Sequence, residues 1–286
     1  MTAYLNGQFL PIEEAKISPL DRGFLFGDGA YEVIPVYSRR PFRIDEHLQR
    51  LQTTLDGIRL TNPYTIEVWR ALVERIVAEN DLDDQSVYIQ VTRGADDKRE
   101  QAFPVGVAPT VFIFTAALVT PSATQRAAGI AVLSALDNRW LRCDLKTVAL
   151  LANVLLRQQA IDAGCVEMIM LRDGYLTEGA ASNIFVVKDG VLLAPPKDHR
   201  ILPGITYDVV LELAAKHGMP YVVREISEAE LRAADELWMT SSTKEVLPIT
   251  MLDGKAVGGG RPGPAAQQMY AWYSAFRDDV MRKADA

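Results

Sequence analysis

Lys146 is the residue with the clearest chemical potential, because a lysine in apolar surroundings can act as a nucleophile. The segment from Asn138 to Ala160 reads NRWLRCDLKTVALLANVLLRQQA and contains no other lysine. Its pattern predicts a helix beginning at Lys146 with a core-like set of apolar residues: Val148, Leu150, Leu151, Val154 and Leu155. Burial favours the neutral amine of a lysine, which can then serve as nucleophile and base. The ordinary alternative is a lysine at the helix edge with a solvated head group.

Several other positions offer groups that bind anions or a charged ring. In ILPGIT, a glycine and Thr206 stand at a predicted helix N-terminus, where free N–H groups and the helix dipole attract phosphate. MTSSTKEV offers four consecutive hydroxyls after a predicted strand. Three further candidates are Arg50, Glu178 and Tyr31. Each feature also has a purely structural interpretation, as a helix cap, a polar turn, a solvated charge or a core tyrosine.

These residue types together match the needs of one cofactor. Pyridoxal 5′-phosphate requires a lysine, a carboxylate at its pyridine nitrogen and a set of phosphate contacts. Lys146, Glu178 and the GIT and TSST segments are candidates for these three roles. The spacing along the chain makes the set plausible and leaves its assembly in space open.

The composition limits the other classes of function. The chain has 286 residues, 49% of them hydrophobic and 23% charged, with a net charge of -7. Because the charges are interspersed and acidic in balance, neither a nucleic-acid surface nor a membrane-binding patch is expected. Three scattered histidines predict no metal site. Two cysteines without metal-ligand spacing, and an N-terminus unlike a signal peptide, predict a cytoplasmic protein.

Alternating strands and helices predict a mixed α/β (α+β) fold with two domains. The boundary is expected near residue 120, in LVTPSATQRAAG, which gives domains of 1–120 and 121–286. The first domain should begin with a hairpin at Asn6-Gly7 and contain two helices, near residues 45–57 and 65–80. In the second, Asp173-Gly174 and Asp189-Gly190 predict turns between strands, and helices should begin near Thr206 and Pro264.

Across nearly its whole length, the sequence resembles the fold-type IV, or class IV, pyridoxal-phosphate aminotransferases. Seven motifs in family order carry the resemblance: DRGFLFGDGAYEVI, HLQRL, VTRG, RCDLKT, EGAASNIFVV, ILPGIT and MTSSTKEV. The resemblance implies a small N-terminal α/β domain and a larger cofactor-binding domain with a barrel-like core. It also implies a homodimer in which each active site takes residues from both subunits. Within the family, the D-amino-acid aminotransferases are the most similar group.

The resemblance assigns roles to individual residues. Lys146 corresponds to the Schiff-base lysine that shuttles the proton, and Glu178 to the partner of the pyridine nitrogen. The corresponding phosphate contacts are Arg50, the backbone of Ile205, Thr206, Ser241 and Ser242. Tyr31 matches a tyrosine near the cofactor and the substrate carboxylate. The implied reaction is a ping-pong transfer of the amino group of a D-amino acid, such as D-alanine, to 2-oxoglutarate or pyruvate.

The sequence departs from the D-amino-acid pattern after VTRG. That group has an Arg-x-His pair, whereas this chain reads VTRGADDKREQAFP, in which Arg99 matches the arginine and Gln101 replaces the histidine. Glutamine donates a hydrogen bond but carries no charge. Carboxylate binding is therefore expected through Arg99 and Tyr31 with altered strength or selectivity. Arg93 and Lys98 are alternative cations for the same task.

Other functions share these motifs. An (R)-selective amine transaminase, a branched-chain L-amino-acid aminotransferase and an aminodeoxychorismate lyase are the enzyme alternatives. A non-catalytic binder of pyridoxal phosphate, for storage or regulation, is the alternative outside the enzymes. Lys146 and Glu178 argue against a mere binder, because a reservoir does not need an electron sink.

Overall fold

The computed structural model describes residues 1–282, which form two compact units. The first unit contains Met1–Leu118 together with Leu145–Leu150. The second contains Val119–Asp144 and the chain from Leu151 onward. Residues 283–286, the end of the predicted second domain, lie outside the described residues.

The first unit contains a six-stranded antiparallel sheet in the order β2-β1-β6-β5-β3-β4. Its strands are β1 Thr2–Leu5, β2 Gln8–Pro11, β3 Gly29–Tyr37, β4 Arg40–Pro41, β5 Gln85–Thr92 and β6 Thr110–Ala117. Asn6 and Gly7, which join β1 to β2, have φ angles of 47° and 98°. Positive φ at both positions is what a type I′ turn needs, so the predicted hairpin is confirmed.

The helices of the first unit are α1 Arg22–Phe26, α2 Ile44–Gly57 and α3 Ile66–Ala78, with a short 3-10 helix at Ile12–Glu14. The apolar faces of α2 and α3 join the core of the sheet, as their helical spacing predicts. Helix α2 also buries a polar stripe made of His47, Arg50 and Thr54. Buried polar groups need partners, and this stripe finds them on β3 and on the segment that carries Lys146.

The second unit is built on a nine-stranded mixed sheet in the order β12-β11-β10-β13-β14-β7-β8-β9, with β15 paired to β14. Its strands are β7 Ile130–Leu136, β8 Glu167–Arg172, β9 Tyr175–Gly179, β10 Asn183–Lys188, β11 Val191–Ala194, β12 Tyr221–Val223, β13 Glu236–Ser241, β14 Glu245–Leu252 and β15 Lys255–Ala256. Three pairs are parallel: β11 with β12, β14 with β7, and β7 with β8.

This sheet curls because of one short connection. Strand β9 ends at Gly179 and β10 begins at Asn183, so the chain between them spans at most about 14 Å. In a flat sheet, the five strand spacings that separate β9 from β10 would place them about 24 Å apart. The sheet therefore bends into a half-barrel, which confirms the mixed fold and gives the predicted barrel-like core its observed form.

The helices of the second unit are α4 Ala123–Ala128, α5 Leu151–Asp162, α6 Ile205–Lys216, α7 Glu228–Arg232 and α8 Pro264–Met281. Helix α4 lies in the segment that lost apolar periodicity, and a capping box of Ser122 and Gln125 begins it. Along residues 1–282, no helix is long and apolar enough to cross a membrane.

The prediction of a helix that begins at Lys146 is wrong. Helix α5 begins at Leu151, and Lys146 lies in a non-helical segment before it. The core-like interpretation of the following residues is also wrong, since Leu151, Val154 and Leu155 are 71%, 57% and 56% exposed. One face of α5 packs on β8, and the opposite apolar face has no partner among the described residues of this chain.

Candidate active site

Lys146 is fixed by both of its main-chain polar groups. Its N–H donates to the Thr54 hydroxyl at 3.1 Å, and its C=O accepts from the N–H of Tyr31 at 3.0 Å. The next residue, Thr147, forms a bridge with Ala30, so the segment lies along the edge of β3. The amino group of Lys146 lies 4.1 Å from the centroid of the Tyr31 ring. These bonds fix the main chain of Lys146, so movement of this residue is confined to its side chain.

Tyr31 is itself supported by a second tyrosine. The rings of Tyr31 and Tyr88 stack with centroids 5.7 Å apart. The Tyr88 hydroxyl donates to the Gln90 side chain at 2.7 Å, and burial raises the pKa of Tyr88 to about 12. Tyr88 therefore stays protonated at neutral pH, and its ring packs against one face of the Tyr31 ring.

Arg50 belongs to a buried ionic cluster on the same helix as Thr54. Its guanidinium donates to both oxygens of Glu32, at 2.7 and 2.8 Å, and His47 Nδ1 lies 2.9 Å from the same carboxylate. Although burial alone raises the pKa of Glu32, Arg50 and His47 hold it well below its usual value. Burial lowers the pKa of His47, and its Nε2 has no hydrogen-bond partner in the described part of the chain. The ionised Glu32 fixes the orientation of Arg50.

Glu178 is a buried carboxylate at the end of β9. It accepts from the Leu202 N–H at 3.1 Å and from the Asn183 amide at 3.3 Å, and Arg139 Nη1 donates to it at 2.6 Å. Burial raises its pKa to about 7, and Arg139 opposes that rise. A carboxylate near its midpoint at neutral pH can hold a proton on a basic ring nitrogen.

Arg139 was not among the residues singled out from the sequence. Its side chain is 7% exposed and joins Glu178 to Asp137, whose two oxygens it binds at 2.9 Å each. Asp137 also pairs with Arg172 at 3.0 Å. The segment NRWLRCD contains two arginines of similar appearance, and only the fold distinguishes Arg139, whose guanidinium binds two buried carboxylates, from the exposed Arg142.

The N-terminus of α6 offers free main-chain donors. Its first helical residues are Ile205 and Thr206, and the N-cap residue Gly204 makes no side-chain cap. Thr206 therefore lies inside the helix and is not its N-cap. An uncapped helix start attracts an anion. A Cβ on Gly204 would overlap Oδ1 of Asn183, so only glycine allows this approach of helix and strand.

The turn of Ser241 and Ser242, part of the hydroxyl-rich MTSSTKEV segment, lies next to β10 and the start of α6. Asn183 of β10 pairs with Thr240 of β13, and Ser241 and Ser242 follow directly. The hydroxyl of Thr240 is buried without a hydrogen-bond partner among residues 1–282, and such a group is expected to have one. An uncapped helix and an unsatisfied hydroxyl beside it fit a bound phosphate.

Glu245 holds the far side of this turn and was also missed by the sequence analysis. It is fully buried in a left-handed conformation with a φ of 56°. Arg126 from α4 and Arg277 from α8 each donate to its carboxylate at 2.6 Å. Its position next to Lys244 in the sequence gives no sign of burial.

The expected substrate residues lie in an exposed loop of residues 95–105. Arg99 and Gln101 are both exposed, and the Arg99 guanidinium lies 5.2 Å from the Phe26 ring. Lys98 is exposed as well, whereas Arg93 is buried and donates to both oxygens of Asp28 at 2.8 and 3.0 Å. Arg93 thus has a structural role beneath the loop.

The two units each collect part of the predicted set. The first unit brings together Tyr31, Lys146 and, through Thr54 on the same helix face, Arg50. The second brings together Glu178, the start of α6 and the Ser241–Ser242 turn. Arg99, in the 95–105 loop, lies against Phe26 of α1. Within residues 1–282, no group of three or more His, Cys, Asp or Glu is arranged to hold a metal ion.

The chain is similar to known proteins over most of its length. The family described as amino-transferase class IV matches residues 29–252. A D-alanine aminotransferase of Bacillus licheniformis is 37% identical over 269 residues, 94% of each chain. One of Listeria monocytogenes is 38% identical over 275 residues, which cover 96% of this chain and 95% of the relative.

Structural similarity agrees with this assignment. The structure of a branched-chain amino acid aminotransferase of T.th. with pyridoxamine 5′-phosphate matches with a TM-score of 0.90 at 25% identity, covering 99% of this chain and 95% of that one. The family match includes Tyr31, Lys146 and Glu178. The protein therefore belongs to the class IV aminotransferase family.

Proposed function

We propose that this protein is a pyridoxal 5′-phosphate-dependent aminotransferase that moves the amino group of a D-amino acid, such as D-alanine, to 2-oxoglutarate or pyruvate. The observation that carries the substrate class is the 37–38% identity to D-alanine aminotransferases over nearly the whole chain. Similarity in fold to a branched-chain enzyme, at 25% identity, makes L-leucine the main competing donor.

Lys146 is the proposed point of covalent attachment and the base. Both its main-chain groups are bound, so the movable part of the residue is its side chain beside Tyr31. Pyridoxal phosphate, when bound, supplies the ring that accepts the electron pair released at the substrate Cα. The amine of Lys146 takes the proton from Cα and returns it to the cofactor carbon, C4′.

Glu178 is the proposed partner of the cofactor's ring nitrogen. Its three donors leave a carboxylate that is buried, oriented and near its midpoint at neutral pH. A positive ring nitrogen beside it favours the ionised form of Glu178, which in turn keeps the proton on the ring. Loss of this charge partner, as in Glu178→Gln, should leave cofactor binding intact and reduce turnover strongly.

The proposed phosphate contacts are the amide of Ile205, Thr206, Ser241 and Ser242 in the second unit, and Arg50 in the first. The uncapped start of α6 and the Thr240 hydroxyl, which has no partner within residues 1–282, support an anion at this place. For the substrate carboxylate, we propose Arg99, Gln101 and Tyr31. Gln101 contributes a neutral donor, so Arg99 supplies the charge.

A homodimer and a cytoplasmic location are part of the proposal. The exposed apolar face of α5, formed by Leu151, Val154 and Leu155, is of the kind that a second copy covers. Leu155→Glu should shift the protein from dimer to monomer in sedimentation experiments. Equal mass for both proteins would contradict this interface.

Absorbance of the cofactor tests the function. D-alanine should convert the visible band of the loaded protein to a near-ultraviolet band, whereas L-alanine, L-leucine and (R)-1-phenylethylamine should not. Lys146→Ala is the control and should show no turnover with any donor. A response to L-leucine or the amine alone would replace the D-amino-acid assignment, and pyruvate release from aminodeoxychorismate would identify a lyase.

A further inference from the structure

The 95–105 loop is attached to the first unit by Arg22, whose side chain is only 4% exposed. Nη1 of Arg22 donates to the carbonyl oxygens of Glu100 and Ala102, at 2.5 and 3.3 Å. Nη2 donates to the carbonyl oxygen of Gln101 at 3.1 Å. One guanidinium therefore binds three consecutive main-chain carbonyls directly beside Arg99.

The same residue also binds the base of the loop. The main-chain N–H of Arg22 donates to the carbonyl oxygen of Gly94 at 2.9 Å. Arg22 thus contacts the chain just before the loop and again at its tip. Residues 94 and 102 are held to one point on α1, which closes the loop between them.

Asp28 orients this arginine. Its carboxylate accepts from Nε of Arg22 at 2.8 Å and, on the same oxygen, from Nε of Arg93 at 2.8 Å. The Arg93 guanidinium lies 3.7 Å from the centroid of the Phe103 ring, and Phe26 lies against both Arg22 and Arg99. Although burial opposes it, the two arginines lower the pKa of Asp28, so the carboxylate stays ionised.

We propose that Arg22 is the positioning residue for the substrate-carboxylate loop, and that it acts by binding the loop's main-chain carbonyls. This inference rests on the proposed role of Arg99 and Gln101. Because the contacts are to carbonyl oxygens, they do not depend on which side chains the loop carries. A change from histidine to Gln101 can therefore alter selectivity without releasing the loop.

Lysine cannot replace this arginine, because its single ammonium lacks the planar fork that reaches several acceptors. Arg22→Lys should raise the D-alanine concentration for half-maximal cofactor conversion about 10- to 100-fold, which is roughly what the loss of one hydrogen bond to a charged group costs in affinity. The limiting rate at saturation should change much less. Arg39→Lys is the matched control, because Arg39 also binds main-chain carbonyls, but at the end of α3.

A double-mutant cycle separates positioning from general damage. If Arg22 acts through Arg99 and Gln101, Arg22→Lys should have almost no effect on D-alanine affinity when both are already alanine. An equal effect in both backgrounds, or an equal effect of Arg39→Lys, would overturn the proposal.

Proteolysis tests the loop without using activity. Lys98 and Arg99 are exposed trypsin sites within it. Arg22→Lys should speed cleavage there, whereas Arg39→Lys and Gln101→His should not, since Gln101→His keeps every carbonyl. Faster cleavage in Gln101→His would show that side chains hold the loop and would refute the inference. If D-alanine does not change the cofactor absorbance of the wild-type protein, the substrate assignment fails, while the proteolysis result still decides the role of Arg22.

Discussion

Replacing Arg139 by methionine should move the acid limb of the activity profile to higher pH. Burial raises the pKa of Glu178, and the hydrogen bond from Arg139 at 2.6 Å offsets part of that rise, leaving a pKa of about 7. Methionine keeps much of the side-chain volume and removes the charge. Without the guanidinium, the desolvation of Glu178 is opposed only by its two neutral donors.

The size of the change follows from the distance between the charges. A cation in contact with a carboxyl group typically lowers its pKa by about 1–3. At pH 7 the ionised fraction of Glu178 should then fall from about half to between about 10% and 0.1%. Activity should recover as pH rises, because turnover requires the ionised form of Glu178. The positive ring nitrogen of a bound cofactor would lower the pKa of Glu178 in both proteins. The quantity to compare is therefore the pH difference between the acid limbs of the wild type and Arg139→Met.

The structure also makes this substitution interpretable. Asp137 loses Arg139 but keeps Arg172 at 3.0 Å and the Thr177 hydroxyl at 3.0 Å. Arg142→Met is the control, because Arg142 is exposed and pairs with Asp144 at the surface. The assay is kcat/KM for D-alanine from pH 5 to 9, with cofactor content and thermal unfolding measured for each variant. An unchanged acid limb in folded, loaded Arg139→Met would refute the reasoning.

Two further perturbations test the scaffold. Arg50 and His47 hold the pKa of Glu32 below its usual value near 4.5. The ionised Glu32 therefore stabilises the fold above pH 4.5, and this stabilisation is lost as the pH falls below that value. The free energy of unfolding should therefore fall more steeply below pH 4.5 in the wild type than in Glu32→Gln, and parallel acid curves would contradict this. Gly204→Ala should cost about 1–3 kcal/mol, because the new Cβ overlaps Asn183, and should weaken cofactor retention. Gly259→Ala is its control, since the nearest atom to a Cβ there is 3.9 Å away, and an equal drop in Tm for both would argue against the overlap.

Local signals explain what the sequence predicts well. The Asn6-Gly7 hairpin, the strand Gly29–Tyr37 and the helix from Pro264 depend on turn chemistry and periodicity within a few residues. The start of α5, by contrast, does not depend on such local signals. The apolar run after Lys146 has helical spacing, but the main chain of Lys146 instead hydrogen-bonds to the Thr54 hydroxyl and the Tyr31 N–H, which are distant in sequence. Arg22 and Arg139 were missed for the same reason, since an arginine that binds a distant carbonyl or carboxylate resembles a surface arginine in the sequence.

The correction at Lys146 bears directly on its chemistry. A residue inside a helix has its N–H and C=O committed to neighbours four residues away, and its side chain follows the helix surface. Lys146 instead has its N–H on α2 and its C=O on β3, so the two elements that carry Arg50 and Tyr31 also set the position of the lysine. A shift of α2 relative to β3 would therefore displace the amine together with these neighbours. Thr54 is the adjustable member of this arrangement: Thr54→Val keeps the shape of the side chain and removes the acceptor of the Lys146 N–H. It should reduce turnover with D-alanine while leaving the contacts of Arg50 with Glu32 in place, and unchanged turnover would mean that the bond to Tyr31 alone positions the lysine.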